Sequence, residues 1–370
     1  SAKKIFFSDK KIIFSAIKIK NLALSNNLKV NIVEELSGEK KISSKVSLKQ
    51  SRINSREIKK GDLFFAIKGK KNDGNKFVGE AFNKKASIAI VNKIDKNNNI
   101  KRQIKVKDSL KFLTKSSKIY RQNINTKIIA ITGSCGKTTL KELLGNSLKK
   151  ISKVSISPKS YNNKYGVPLS LFNLDQRDDY GVLEIGMDKK GEIDYLSKIV
   201  QPDVSVITNI NYAHAKNFKN LEQIALAKSE IINNTKDNGF IILNADDNFF
   251  ALHKKLAIRK NLKILSFGIK SKNSNIKLIN IKKVAKRFKA TIQINNLKTY
   301  FLIPNNFQNN ILNILAALAV MSVFLDISKI NKNIFINFEI PNGRGDISKI
   351  RINNKNLNLI DESYNSNPLS

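Results

Sequence analysis

The 370-residue sequence has one cysteine and no tryptophan, and it has no long uninterrupted apolar run. A lone cysteine, Cys135, excludes an intrachain disulfide and fits a reducing compartment. The longest apolar stretch, 311–325, is interrupted by Asn313 and Ser322 and is shorter than the roughly 20 residues of a membrane span. The apolar run Ile5–Phe7 is too brief for the core of a signal peptide. We therefore expect a cytoplasmic protein without a membrane span.

Acidic residues are scarce: 29 Asp and Glu stand against 67 Lys and Arg, a formal net charge of +38. The lysines are spread from end to end among many Asn and Ile residues, with few arginines or aromatics beside them. We interpret the excess as a whole-chain compositional bias and expect no specific nucleic-acid partner. A polyanion-binding surface remains the alternative. Either way, the charge would steer anionic substrates such as nucleotides towards the chain.

Apolar runs alternate with helical patterns over the middle of the chain, which predicts a mostly parallel α/β sheet flanked by helices. Before it, a small α/β domain is expected over 1–122, followed by the central phosphate-binding domain over 123–345. Residues 346–370 resemble the opening of a further domain that the chain does not complete.

The sequence also predicts the individual elements. Strands are predicted at 62–67, 86–91, 127–132, 180–187, 204–210 and 240–243, antiparallel strands over 277–304, and one or two strands over 350–360. Helices are predicted at 137–149, 220–232 and 308–325.

A glycine-containing loop joins the strand 127–132 to the helix that starts near Lys137. Its sequence, Gly-Ser-Cys-Gly-Lys-Thr-Thr over 133–139, has the small residues and the lysine of a phosphate-binding loop. The general pattern has an earlier glycine where this chain has Ile131, so the loop is a shorter variant. Lys137 can reach the β- and γ-phosphates, and the Thr138 hydroxyl can ligate Mg²⁺. Cys135 is interpreted as a small spacer.

Three further residues fall where the carboxyl ends of the strands would gather. Glu184 ends one apolar strand and can ligate Mg²⁺ that bridges to a phosphate. His214 follows the next strand and is either a metal ligand, a phosphate contact or an ordinary surface histidine. Lys228 lies on a helix just after Ala225 and Ala227, whose small side chains would let it approach the site. In a chain so rich in lysine, however, composition alone favours a solvated face.

The order and spacing of these residues resemble the Mur ligases, ATP-dependent amide-forming enzymes of peptidoglycan precursor synthesis. More segments share the resemblance, which runs from about residue 50 to the end of the chain. They are Asn54-Ser55-Arg56, GDLFFAIKG at 61–69, Asp73-Gly74, Ser160-Tyr161-Asn162-Asn163, Gly166-Val167-Pro168, Glu184-Ile185-Gly186-Met187, Asn244-Ala245-Asp246-Asp247, Gly343-Arg344-Gly345 and DESYNSNP at 361–368. The family commonly has a histidine where this chain has Asn309.

The resemblance implies a role for each matching residue. Lys137, Lys228 and His214 would be catalytic. Lys228 would be carbamylated by CO₂, which converts an ammonium into an anionic Mg²⁺ ligand. The implied ATP contacts are Gly133, Ser134, Cys135, Gly136, Lys137, Thr138, Thr139, Asn310, Asn313, Arg344 and Asp361. The implied ligands of two Mg²⁺ ions are Thr138, Glu184, His214 and Lys228. The implied substrate contacts are Ser55 and Arg56 for a uridine nucleotide and Asn162 and Asn163 for the central cleft.

The resemblance also implies a reaction. The specific segments match the branch of the family that joins D-alanyl-D-alanine to UDP-N-acetylmuramoyl-tripeptide through an acyl phosphate, and we expect a monomer. Other Mur or folylpolyglutamate-type ligases, and a basic nucleic-acid-associated NTPase, are the alternatives. Because the expected third domain is incomplete, the chain alone is expected to bind its substrates more readily than to turn them over.

Overall fold

The computed structural model describes residues 28–39, 48–212, 217–285, 287–304, 307, 310–352, 355–361 and 363. His214 and Asn309 lie outside these described residues. The chain divides into two compact units. One consists of the described residues up to Asn125 together with Pro168–Gln176, and the other consists of Thr126–Val167 and the described residues from Arg177 onward. The domain boundaries that the sequence suggests, after residues 122 and 345, stay a prediction.

The first unit is a small parallel α/β sheet. Its strands pair in chain order, and the apolar runs at 62–67 and 86–91 form two of them, as predicted. Phe172, from the segment 168–176, packs edge-on against the rings of Phe65 and Tyr120. The elements are α1 Leu28–Ser37, β1 Ser51–Arg52, β2 Leu63–Phe65, α2 Val78–Asn83, β3 Ile88–Val91, β4 Gln103–Lys105 and α3 Ser109–Gln122.

The second unit is built on a larger sheet whose described strands run in the order β13-β12-β11-β10-β9-β8-β5-β7-β6. Pairing is parallel from β6 to β11 and antiparallel from β11 to β13, as the sequence predicts. The strands are β5 Lys127–Thr132, β6 Val154–Ile156, β7 Tyr180–Glu184, β8 Val204–Ile207, β9 Phe240–Asn244, β10 Lys263–Gly268, β11 Ile276–Val284, β12 Arg287–Ile294 and β13 Leu297–Ile303.

Helices cover this sheet, and a last hairpin follows it. The helices are α4 Lys137–Leu148, α6 Glu192–Val200, α7 Leu221–Asn233, α8 Phe250–Arg259 and α9 Ile311–Phe324. Helix α5, Gly166–Phe172, begins in this unit, but its residues from Pro168 onward belong to the first unit. Helix α9 is buried along most of its length and packs against α4 and the strands β9 to β11. The hairpin pairs β14 Asp346–Ile352 with β15 Lys355–Asp361 in antiparallel register. No helix in the described ranges has the length and apolarity that crossing a membrane requires.

The register of the central strands places three loops at one edge of the sheet. Ile131 of β5 pairs with Glu184 of β7, and Thr132 pairs with Ile207 of β8. Strands β7 and β8 end earlier than the predicted 187 and 210, because backbone groups there turn to other partners: the Gly186 N–H donates to Asn162 O over 2.8 Å. The segments after β5, β7 and β8 therefore meet where open α/β sheets bind their ligands.

Candidate functional site

The loop between β5 and α4 contains two glycines in the left-handed region, Gly133 at φ +142° and Gly136 at φ +80°. A Cβ on Gly133 would lie 1.9 Å from Thr208 Oγ1, and one on Gly136 would lie 2.9 Å from Asn313 Oδ1. Both positions therefore require glycine. Gly136 is the N-cap of α4 and offers no side-chain acceptor to the first turn. The N–H groups of that turn suit an anionic ligand, and the helix dipole favours one.

Lys137, the first residue of α4, is folded back onto this loop. Its Nζ donates to Gly133 O at 2.7 Å and to Ser134 O at 3.1 Å. Burial lowers the pKa of its ammonium, and Arg344 adds to this effect, whereas Glu184 and Cys135 oppose it. The two carbonyl oxygens accept hydrogen bonds that the oxygens of a bound phosphate could accept instead. A phosphate at the loop would therefore have a cation within reach.

Glu184 lies at the carboxyl end of β7 and is 1% exposed. Its two carboxylate oxygens each accept a hydrogen bond, one from Thr138 Oγ1 at 2.6 Å and the other from Asn162 Nδ2 at 2.7 Å. Three residues that the sequence singled out separately, from α4, from the loop after β6 and from β7, are thus in direct contact.

The oxygen atoms of Glu184 and Thr138 suit a Mg²⁺ ion that is held partly by substrate phosphates. They do not suit a metal whose ligands are all protein side chains. No group of three or more His, Cys, Asp or Glu side chains comes together among the described residues. One carboxylate and one hydroxyl, from Glu184 and Thr138, stand beside the phosphate-binding loop. Mg²⁺ is commonly held by one or two carboxylates together with water and substrate phosphates. The residues present therefore fit a Mg²⁺ ion that a bound phosphate helps to hold.

Lys228, on α7, is 2% exposed, so the solvated face that composition suggests is wrong. Its Nζ donates to Gly133 O at 2.9 Å, the same carbonyl that accepts from Lys137. Burial holds the pKa of its amine well below the usual range, and the neighbouring Lys137 lowers it further, although Cys135 opposes both. A neutral amine is a nucleophile, whereas an ammonium is not, so this lysine is suited to chemistry at nitrogen.

The segment after β8 is fastened to the phosphate-binding loop at several points. Ser134 Oγ donates to Asn211 O and accepts from Asn211 N–H, both at 2.8 Å. Asn209 Oδ1 accepts from the Cys135 N–H at 3.0 Å. Asp247 Oδ2 accepts from the Ile210 N–H at 2.7 Å. The sequence analysis assigned no role to Asn209 or Asn211. Their position just after a buried strand could have indicated one, because the carboxyl ends of the strands gather at the site.

A cavity of about 690 Å³ opens beside these groups. It is lined by Lys137 and Glu184 on one side and by Asn162, Asn163 and Arg344 among its other residues. Arg344 Nη2 donates to Ser160 Oγ at 3.1 Å.

On the other side of Asn162 in the sequence, Asn163 Oδ1 accepts from the N–H groups of Tyr165 and Gly166, which fixes the start of α5. The predicted phosphate and cleft residues thus share one cavity, and its charged lining also includes residues that the sequence did not single out, Lys164, Lys189 and Lys190.

Other predicted site residues lie elsewhere. Asn313 stands against Gly136, and its Nδ2 donates to Asn310 Oδ1 at 3.2 Å. Asp361 ends β15 and accepts from the Ser363 N–H at 2.9 Å. Hydrogen bonds from the Ser363 side chain and from this N–H lower the pKa of its carboxyl. Asp361 is not part of the cavity lining in the described part of the chain.

Ser55 and Arg56 belong to the first unit. Ser55 is buried and its Oγ donates to Glu80 Oε2 at 2.7 Å. Arg56 is exposed, and its backbone N–H donates to Asn54 Oδ1 at 3.1 Å. The turn is therefore held by local hydrogen bonds, with its arginine side chain at the surface.

Comparisons with known proteins identify the family of the chain. The profile "Mur ligase middle domain" matches residues 131–321, and "Mur ligase family, catalytic domain" matches residues 48–130. A crystal structure of MurF from Acinetobacter baumannii is 29% identical, with a TM-score of 0.78, and the match covers 91% of this chain and 73% of that one. MurF ligase from Thermotoga maritima in complex with ADP is 28% identical, with a TM-score of 0.73, covering 88% and 73%.

Curated relatives point the same way. The UDP-N-acetylmuramoyl-tripeptide–D-alanyl-D-alanine ligase of Rickettsia prowazekii is 36% identical over 89% of this chain and 72% of its own length. The enzyme of the same name from Bacillus subtilis is 30% identical, over 86% and 67%. With matching profiles over more than half its length and relatives at this identity, the chain belongs to the Mur ligase family of ATP-dependent amide-bond ligases.

Proposed function

We propose that this chain joins D-alanyl-D-alanine to UDP-N-acetylmuramoyl-tripeptide in peptidoglycan precursor synthesis. One observation carries the proposal: the phosphate-binding lysine, Lys137, and the cleft residues Asn162 and Asn163 line the same cavity. A carboxylate held by the cleft would therefore lie beside the γ-phosphate of a nucleotide held by the loop. The names of the relatives supply the identity of the two substrates.

The first step overcomes the low reactivity of a carboxylate. An oxygen of the tripeptide's terminal carboxylate attacks the γ-phosphorus of ATP, the bond to the β-phosphate oxygen breaks, and an acyl phosphate and ADP form. Bringing one anion to another requires cations that are already in place. Lys137 supplies one, and Arg344, which lines the same cavity, supplies a second. The backbone N–H groups at the start of α4 hold the phosphates.

The second step forms the amide. The free amine of D-alanyl-D-alanine attacks the acyl carbonyl, inorganic phosphate leaves with the electron pair of the broken C–O bond, and the amine gives up its proton. The phosphate that leaves is already bound by the loop, so Lys137 stabilises the charge that develops on it. Keeping water out of the cavity protects the acyl phosphate from hydrolysis.

Magnesium and a carbamate complete the proposed site. Thr138 and Glu184 would hold a Mg²⁺ ion, which when bound neutralises charge on the phosphates. Because burial lowers the pKa of the Lys228 amine, its neutral form is easier to reach, and in that form it would attack CO₂, forming an N–C bond and releasing a proton. The resulting anion would be a ligand for a second Mg²⁺, and His214 is the further ligand that we propose.

The first unit would bind the uridine nucleotide through the turn at Ser55 and Arg56, where the exposed guanidinium of Arg56 suits a diphosphate. On the ATP side, we propose contacts from the loop 133–139 and from Asn310, Asn313, Arg344 and Asp361. We further propose that the chain acts as a monomer in the cytoplasm. The domain division at residues 122 and 345 belongs to the same proposal.

A substrate panel tests this function. The chain is incubated with ATP, Mg²⁺, D-alanyl-D-alanine and UDP-N-acetylmuramoyl-tripeptide, and the products are followed by mass spectrometry. We expect the chain to bind the UDP-tripeptide and ATP, and UDP-N-acetylmuramoyl-pentapeptide to form in an amount equal to ADP and only when the dipeptide is present.

The controls in the panel separate the alternatives. Folates with glutamate, and shorter UDP-muramoyl acceptors with single amino acids, represent other ligases of the same type. Amide formation from one of these, but not from the tripeptide, would contradict the proposed substrates. Tight binding of DNA or RNA with a steep salt dependence, and no binding of the UDP-tripeptide, would favour the nucleic-acid alternative.

A further inference from the structure

Lys141 is an ammonium group enclosed in the protein one helical turn beyond Lys137. Its side chain is 0% exposed, although residues of this type almost always reach solvent. Its Nζ donates to Ser157 O at 2.7 Å and also to Lys159 O. Glu142 Oε1 lies 3.2 Å from the same nitrogen. Burying a charge is unfavourable unless hydrogen bonds compensate for the lost water, and removing one partner destabilises the structure around it. The partners of Lys141 therefore indicate which part of the structure it stabilises.

Those partners belong to the segment that brings the cleft residues to the cavity. The segment, Ser157–Asn163, leaves β6 and returns to the cavity within a few residues. Lys159 takes a left-handed φ of +47°, an uncommon conformation for a side-chain-bearing residue. The segment thus adopts a strained turn whose carbonyls at 157 and 159 both accept from the Lys141 ammonium.

The same segment contacts Glu184. Ser157 Oγ accepts from the Glu184 N–H at 3.3 Å, and Asn162 Nδ2 donates to Glu184 Oε1 at 2.7 Å. At its centre, Ser160 Oγ accepts from Arg344. Movement of this segment would therefore displace Asn162, loosen the carboxylate beside Thr138 and release Arg344. The phosphate-binding loop touches this network only at Thr138, through Glu184, among the contacts described above. Its other residues have separate supports, since Lys137 bonds to the Gly133 and Ser134 carbonyls and Ser134 bonds to Asn211.

We propose that Lys141 is a positioning residue that ties the acceptor-binding segment 157–163 to the helix of the phosphate-binding loop. It does not touch the reacting atoms. Its ammonium holds the turn in the conformation in which Asn162 and Ser160 face the cavity, so that the nucleotide and the carboxylate acceptor are aligned. The inference rests on the proposed function and adds to it a residue that acts on acceptor binding rather than on nucleotide binding.

The test is Lys141→Met, which keeps the length and apolar volume of the side chain but removes the donor. We expect KM for the UDP-tripeptide to rise at least tenfold and kcat to fall, while the Kd for ADP measured by calorimetry changes less than threefold. Lys141→Arg, which retains the charge and the donors, should recover most of the acceptor affinity. The matched control is Lys150→Met, which removes a lysine that donates to the Ile334 carbonyl just beyond the other end of α4.

Amide hydrogen exchange gives a readout that needs neither turnover nor a known substrate. In Lys141→Met, exchange over 160–163 should increase while exchange over 134–139 stays at the parent level. If the parent makes no pentapeptide but the exchange result holds, the proposed function fails and the positioning role stands. Equal losses of ADP and acceptor affinity, or unchanged exchange over 160–163, would overturn the positioning role. Should Lys141→Met not fold, Lys141→Gln against Lys141→Arg makes the same comparison.

Discussion

Replacing Lys137 with alanine is expected to reduce ATP-dependent amide formation by about 10³-fold or more while the chain remains folded. The ammonium lies at the phosphate-binding loop, since it donates to the loop carbonyls of Gly133 and Ser134. Its loss removes one of the two side-chain cations that would compensate the charge of the approaching anions. Turnover is measured as ADP and pentapeptide release at saturating substrates.

The fold should survive because Lys137 is only partly buried and its hydrogen bonds go to a loop at the surface of the cavity. Lys149→Ala, at the other end of the same helix and exposed, is the control. It removes the same charge from the chain and should keep parental turnover. A Lys137→Ala variant with the parental melting temperature and near-parental turnover would refute the assignment of this loop.

Replacing Lys228 with alanine is expected to abolish most activity, with a loss on the order of 10²–10³-fold that added bicarbonate does not restore. The proposed carbamate would add an anionic ligand next to Gly133 O, to which Lys228 Nζ donates, beside the carboxylate of Glu184 at Thr138. Parent enzyme depleted of CO₂ should lose activity in the same way but regain it when bicarbonate is added.

Two further observations separate a carbamate from a structural role for this buried lysine. Parent enzyme in ¹³C-labelled bicarbonate should show a carbamate resonance that Lys228→Ala lacks. Lys198→Ala, which removes an exposed lysine from the neighbouring helix α6, should retain both the resonance and the activity. Parental activity in Lys228→Ala would show that the lysine has no part in catalysis.

Much of the central sheet could be predicted because its strands are buried on both faces and read as continuous apolar runs. Strand β5 lies where the sequence predicts it, and the following helix begins at Lys137 as expected. The loop between them was recognisable because its glycines and its lysine occur in the one context, strand to helix, in which they bind phosphate. The contact between Thr138 and Glu184 follows from parallel pairing of β5 and β7.

Two strands of the central sheet with mixed burial were not predicted. Strand β6, Val154–Ile156, is half-buried at the edge of the sheet, and β10 begins with an exposed lysine, so neither shows an apolar run. The grouping of Pro168–Gln176 with the first unit likewise depends on contacts distant in sequence, such as that between Asn173 and Ser51.

Buried lysines are the clearest limit of sequence reasoning in this chain. Lys141 stands next to Glu142 on a helix, a pattern typical of a solvated face, and its partners are backbone carbonyls 16 and 18 positions away. Lys228 is equally inconspicuous among so many lysines, and only its similarity to a family position indicated a role. Backbone acceptors carry no sequence signature, so the structure was needed to place both ammonium groups.

The most direct test of the account is a crystal structure of the chain with a non-hydrolysable ATP analogue and Mg²⁺. The account predicts the triphosphate on the backbone N–H groups at the start of α4, with the Lys137 ammonium moved from the carbonyls of Gly133 and Ser134 onto the phosphates. Density for the triphosphate elsewhere on the chain, with Lys137 still bound to those carbonyls, would contradict it.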